Sequence, residues 1–381
     1  MISIYVIQII LILFFGFLFR NDKKKFLLAA FIVLFVVMAF RHAEKIGVDS
    51  ATSYYNAYTN IEKEIIKWPN PGLQMIMKLL HSVNADYQWV IVITAAWVCF
   101  AYYRLLVKYS ENGFISVMWF LGMLFYSFLF SALKQAWAMA FLCFAFDAVF
   151  KRKPIRFLLF VGLAVIFHFP ALIFLPAYFV ARLRINKSFP ILMFSILVVV
   201  FVFRQQILNL MVSSYENHEG DYSSDAQFLG TKFIFMGLML AYGFYQYLSN
   251  KNPAIHKRTI FPSLLYYMGI AAVIQTFCFY SNNFERLADY YYQFSILFVP
   301  LMLSGEAHAL NSIGGTDSMS VNDSPNLSIS FEKKRITNYS ANDISINTVL
   351  SFIITVFCVW RYISTLLNDP FYSPFFFFWQ G

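Results

Sequence analysis

Residues 165–172 read VIFHFPAL, and they decide how the chain around them folds. His168 is the only side chain in that stretch able to take a proton near neutral pH. Two residues on, Pro170 removes a backbone donor and interrupts any helix. The apolar flanks, 156–168 and 170–183, are too short for comfortable spans at about 1.5 Å rise per residue. Basic residues lie beyond both ends, Lys151 to Arg156 before and Arg182 to Lys187 after, and they belong on one side of a membrane. The segment 156–183 therefore reads as a proline-broken hairpin that crosses partway or obliquely.

Composition extends this reading to the whole chain. Of 381 residues, 60% are hydrophobic, 20% aromatic and 13% charged, which exceeds the apolar share of a soluble domain. Apolar stretches recur near 2–19, 26–40, 86–107, 114–131, 133–150, 189–203, 228–248, 259–280, 287–304 and 347–367. With the hairpin, they predict an all-α polytopic membrane protein of about 12 transmembrane or partly spanning helices. The first twenty residues lack a basic leader and a small-residue cleavage site, so they read as a permanent helix. Cys99, Cys143, Cys278 and Cys358 all fall in apolar stretches, without metal-type spacing, and read as core.

The net charge of +9 comes from Lys and Arg clustered in the links between spans. Such clusters report orientation toward the cytoplasm, not a nucleic-acid partner. With those links inside, both termini face out and three regions follow. Residues 1–304 form the helical core, with outer loops 41–85 and 204–227; 305–346 is a Ser- and Asn-rich disordered cytoplasmic loop; 347–381 is a last span with an aromatic outer tail along the interface.

The same threading sends the remaining charges to the outer face, each with a plain structural alternative. Arg41 ends a helix, where it could snorkel to the interface. Lys134, followed by Gln135, opens an apolar helix, where a cation opposes the helix dipole and calls for an anionic partner. Arg204 closes a helix, where the dipole would favour it anyway. Arg286 lies within four residues of Glu285, Asp289 and Tyr290, so a local ion pair is the simple explanation. His168 could be a satisfied structural hydrogen-bonder, yet broken backbone at membrane depth belongs where it lines a wet cavity, and ionisable groups there are functional candidates. Tyr54 and Tyr58, after Asp49, share one side of a helix and could stack on sugars or anchor the interface. The acidic loop from Glu216 to Asp225 suits solvation.

Four blocks in order carry a family likeness: RHAEKIGVDSATSYYNAY from Arg41, LKQAWAMAFLCFAFDAVFKRK from Leu133, LAVIFHFPALIFLP from Leu163 and ERLADYY from Glu285. The sequence resembles the EpsG family of bacterial membrane proteins, grouped with Wzy-like polymerases of exopolysaccharide, capsule and O-antigen chains. Two positions depart from the family pattern: Lys134 stands where Arg is usual, and Asn70-Pro71-Gly72 stands where an acidic residue before glycine is common.

The resemblance implies a metal-independent glycosyltransferase without a cofactor, facing outward from the bacterial cytoplasmic membrane. It would move a growing glycan from polyprenyl diphosphate to the next lipid-linked repeat unit. Its partners would be that lipid-linked oligosaccharide, the bilayer, a flippase and a chain-length regulator. Arg41, Lys134, Arg204 and Arg286 are then the diphosphate cations, with Gln135, Glu285, Tyr54, Tyr58 and Tyr290 as further substrate contacts. His168 is the first candidate for general base and Asp49 the second. Two rival classes are a flippase of lipid-linked sugars and a membrane acyltransferase. Against the first, no inverted repeat is visible and the charges gather at one face instead of the midplane.

Overall fold

A computed structural model describes residues 3–63, 71–183, 185, 189–213, 230–248, 260–279, 283–303 and 346–380. Among them the fold is α-helical, and the one bridge between extended residues joins Arg41 to Phe377. The acidic loop Glu216 to Asp225 and nearly all of the 305–346 segment lie outside the described residues.

The amino-terminal pair, α1 (Ile4–Leu18) and α2 (Lys23–Ala39), packs against α5 (Gln88–Tyr109), which packs in turn on α8 (Leu133–Phe150). Between α2 and α5 the expected outer loop is itself helical. It holds a π-turn (Ser50–Tyr54), α3 (Tyr55–Thr59) and α4 (Pro71–Ser82). The 114–131 stretch, expected as one helix, breaks into α6 (Gly113–Gly122) and α7 (Phe125–Ser131), bent by 52° where Leu124 adopts a φ of +63°. Gly122 ends the first half, and a Cβ on it would lie 2.4 Å from Cys358 Cβ of the last long helix.

The hairpin follows as α9 (Pro154–Phe167), a 3₁₀ segment (Phe169–Phe174) and the short α10 (Ala177–Val180). His168 sits at the break in extended backbone. Then come α11 (Phe189–Ser213), ten residues longer than expected, and α12 (Thr231–Leu248). Next are α13 (Ile260–Gln275) with a 3₁₀ extension (Thr276–Phe279), α14 (Asn283–Tyr292) and α15 (Ser295–Leu303). The expected 287–304 helix is thus split between the last two. The final long helix is α16 (Ile346–Asn368).

Among the described residues four helices are long and apolar enough to span a membrane: Gln88–Tyr109, Leu133–Phe150, Ile260–Cys278 and Asn347–Asn368. The α6–α7 pair makes a fifth if it is one broken span. Of the rest of the expected dozen, α1 and α9 are shorter, with 15 and 14 residues. Large apolar side chains such as Phe17, Ile155, Phe352 and Trp360 stay exposed on the outside, while Gln8, Asp289 and Gln293 are buried inside. Lipid as solvent explains that inversion.

The 18-residue α8 is about 27 Å long, close to the hydrocarbon thickness. Lys134 opens it. At its other end Asp147 gathers Lys108, Arg104 and Lys151, the last at 2.9 Å, and accepts the Tyr109 hydroxyl at 2.6 Å. Members of two basic clusters thereby share one acid at the end remote from Lys134. The free cysteines are buried, apart from the half-buried Cys278.

The carboxyl-terminal aromatic segment folds back onto the protein. Its Phe376 and Phe371 carbonyls accept the His42 and Gly47 N–H groups at 2.8 and 3.0 Å, and the Phe378 N–H donates to the Phe40 carbonyl at 3.0 Å.

Candidate active site

The residue before α8 is Ala132, which offers no side-chain cap, so the first N–H groups of that helix face the space in front of it. The Tyr54 hydroxyl meets one of them, at Lys134. A helix N-terminus carries roughly half a positive charge, and the Lys134 ammonium adds a full one. Both border a pocket of about 260 Å³.

Three other parts of the chain meet there. Trp137, one turn into α8, stacks on Phe167 with centroids 4.7 Å apart, and this contact brings the adjacent His168 to the pocket. The Tyr291 hydroxyl on α14 donates to the Ile173 carbonyl at 2.8 Å, docking α14 on the hairpin so that Tyr290 hydrogen-bonds His168 Nδ1 and Arg286 reaches the pocket. The Gln135 amide ties the same helix down by donating to the Arg286 carbonyl at 2.6 Å.

The third part is the turn before α3. Gly47 has a φ of +94°, and a Cβ on it would lie 2.5 Å from Ser50 Oγ and 3.2 Å from the Phe130 carbonyl, so the residue must be glycine. The turn that follows sets Asp49, Ser53 and Tyr54 into the pocket wall.

Asp49, Lys134, Gln135, His168, Arg286 and Tyr54 thus come together, with Tyr290 directly behind His168. Arg286 Nη1 lies 3.5 Å from Asp49 Oδ2. The expected local pair of Arg286 with its helix neighbours is not formed. Residues 285 and 289 share one face of α14, and both carboxylates instead meet Lys232 of α12, at 2.8 and 3.1 Å. Sequence reading missed Lys232, although it opens an apolar helix as Lys134 does, and the same signal would have marked it.

Other expected site residues stand elsewhere. Arg41 is fully buried behind the turn that carries Asp49, where it donates to the carbonyls of Met38 at 2.7 Å and Phe130 at 2.6 Å. Burial pulls its pKa down to about 10, which still leaves it protonated near neutral pH. It fastens the turn and does not line the pocket. Arg204 bonds the Phe201 carbonyl of its own helix. The Tyr58 hydroxyl donates to the Ala85 carbonyl, and its ring packs on His81 and Tyr87. Glu285 belongs to the Lys232 cluster.

His168 lies outside the four spanning helices. Burial, and after it the charges of Lys134 and Arg286, push its pKa down to about 4. The imidazole is therefore neutral at ordinary pH. Among the described residues no three His, Cys, Asp or Glu side chains form a group able to hold a metal ion. What the pocket offers is two cations and a helix terminus for an anion, beside two groups able to accept a proton.

No curated protein and no solved structure matches the chain. The model that describes the EpsG family matches residues 24–309, well over half of the sequence and a span that contains every residue of the pocket. The chain therefore belongs to the EpsG family.

Proposed function

We propose that this protein is a polymerase of a bacterial surface polysaccharide. It transfers the growing glycan from polyprenyl diphosphate to the next lipid-linked repeat unit, on the outer face of the cytoplasmic membrane. The observation that carries this reading is the convergence of Lys134, Arg286 and the α8 N-terminus on one small pocket that also holds Asp49 and His168. Family membership supports a polymerase-type role in polysaccharide synthesis.

In the proposed reaction a hydroxyl oxygen of the acceptor sugar attacks the anomeric carbon of the growing glycan. The bond from that carbon to the phosphate oxygen breaks, and its electron pair leaves with the diphosphate. Negative charge develops on that group, and Lys134, Arg286 and the helix terminus are already in place to stabilise it. They answer the charge demand from the protein's own groups.

The hydroxyl proton goes to His168. Its Nδ1 contacts the Tyr290 hydroxyl, and the role of base requires the tautomer in which Nδ1–H donates to the Tyr290 oxygen and leaves Nε2 to accept. Asp49 is the second candidate base, and its contact with Arg286 competes with that role. Basic residues gather at the end of α8 remote from the pocket, and basic residues favour the cytoplasm, which supports a pocket opening outward.

Cells lacking the protein should accumulate single lipid-linked repeats on the outer face and lose long chains. Purified protein given a defined lipid-linked repeat should join repeats. Repeats held on the inner face would mark a flippase instead, and a purified protein that joins nothing would end the polymerase reading.

A further inference from the structure

A second cavity, of about 590 Å³, opens beside the first, between the end of α2, the start of α5 and the carboxyl-terminal segment. Its volume lies within the roughly 300–1,000 Å³ usual for small-molecule sites. Chemically it is the opposite of the pocket described above. The acidic and basic side chains lining it are Glu44, Asp86 and His42, with no Lys or Arg among them. Lys45 is not among the lining residues, and its ammonium lies 4.8 Å from the centre of the Phe376 ring.

Two rings stand open at this cavity, Trp89 at 54% and Phe378 at 47% exposure. Asp86 Oδ1 accepts the Gln88 N–H at 2.7 Å, which fixes that carboxylate.

The two cavities are neighbours. Tyr87 lines the acidic one, and its hydroxyl donates to the Ser50 carbonyl at 2.8 Å, one residue from Asp49 in the cationic pocket. The rings of Tyr55 and Tyr58 each lie 5.5 Å from Tyr87, so the partition is packed with aromatic rings.

We infer that the acidic cavity holds a stretch of the glycan next to the bond being made, and this rests on the polymerase reading. Carboxylates accept hydrogen bonds and cannot donate them, so they suit hydroxyl-rich ligands and repel diphosphate. The exposed rings offer faces for the apolar sides of sugar rings. A cationic pocket beside an acidic, aromatic one matches a molecule that is diphosphate at one end and polyol at the other. An anionic lipid headgroup has the wrong charge for Glu44 and Asp86. A bare polyprenyl chain would leave both carboxylates facing hydrocarbon.

The probe is the oligosaccharide released by mild acid from the producing cell's own lipid-linked repeats. It is titrated calorimetrically against the full-length protein in lipid nanodiscs. The wild type should bind it, and Trp89→Ala and the Glu44→Gln, Asp86→Asn double variant should each bind about tenfold more weakly. In elongation assays both should give shorter polymer, and the joining of two single repeats should show a KM raised about tenfold with kcat near wild type.

Should Trp89→Ala melt early, Phe378→Ala at the same cavity takes its place. The inference fails if the variants bind the oligosaccharide as the wild type does. It also fails if polyprenyl phosphate without sugar is the only probe bound and Trp89→Ala abolishes that. A wild type that binds the oligosaccharide yet never joins repeats would sink the polymerase reading and leave a saccharide site standing.

Discussion

The Arg286 guanidinium stands 3.5 Å from the Asp49 carboxylate, joining the turn before α3 to α14 across the mouth of a cationic pocket. Both side chains are partly solvent-exposed, and exposed pairs contribute only about 0–1 kcal/mol to stability. The pair is therefore a poor explanation for a fold and a good one for a site. Arg286→Ala should leave the melting temperature of the purified protein nearly unchanged while cutting elongation by about 10²–10³-fold. Arg286→Lys should recover only part of the loss, because an ammonium lacks the planar fork that matches phosphate oxygens.

Lys134 has the converse expectation. Lys134→Met should lower elongation by about the same 10²–10³-fold, since it removes a cation from the helix terminus that faces the substrate. Lys134→Arg restores the residue usual in the family and should keep activity. If Lys134→Met and Arg286→Ala both left chain length unchanged, the diphosphate site would lie elsewhere.

His168→Gln should reduce turnover by about 10²–10⁴-fold, the usual contribution of a positioned base. The sign of its pH dependence follows from its environment. Burial and two neighbouring cations lower the imidazole pKa from its ordinary value to about 4, so the neutral, proton-accepting form persists as pH falls through 6.5. The acid limb of kcat/KM, which reports the free enzyme, should fall near pH 4, and Asp49→Asn should leave it in place. A limb at 6.5 in the wild type, or near-normal turnover in His168→Gln, would return this residue to a structural role.

Arg41 should behave as part of the fold. Arg41→Met leaves the Met38 and Phe130 carbonyls without their donor in a fully buried site, and such losses cost about 1–3 kcal/mol per group. Folded yield and melting temperature should drop together with activity. Arg41→Lys should rescue poorly, because those carbonyls bind two different nitrogens of one guanidinium.

Lys232 is expected to act through α14. Lys232→Met strands the Glu285 and Asp289 carboxylates, and elongation should fall with stability because the helix that carries Arg286 loses its anchor. Adding Asp289→Asn should restore part of the melting temperature, as a double-mutant cycle of contacting residues would show. Additive losses would mean that the two residues do not cooperate.

The helical character and the break at His168 could be read from the sequence, because each depends on local chemistry: apolar length and a proline. A common site for Asp49, Lys134, His168 and Arg286 was an expectation of the charge placement and the family resemblance, which also included Arg41 and Arg204. What could not be read depends on distant chain. An arginine at the end of α2 looks the same whether it snorkels or is buried, and here the segment around it is closed by residues 371–378. Gly122, two residues before the break at Leu124, is likewise explained by distant chain, since a Cβ on it would lie 2.4 Å from Cys358 Cβ. The partner of Glu285 and Asp289 was hidden because Lys232 lies on another helix, and a neighbour four residues away looked sufficient.

The return of the last residues onto Phe40, His42 and Gly47 bears on how the protein is made. Translation delivers Asp49 early and its backing last. A message truncated after Asp369 would yield a chain with every long helix available for insertion, yet with the His42 and Gly47 amides and the Phe40 carbonyl unmatched next to the turn that bears Asp49. Such a product would be membrane-embedded and inert, and a stop codon between positions 370 and 376 should be as damaging as one far upstream.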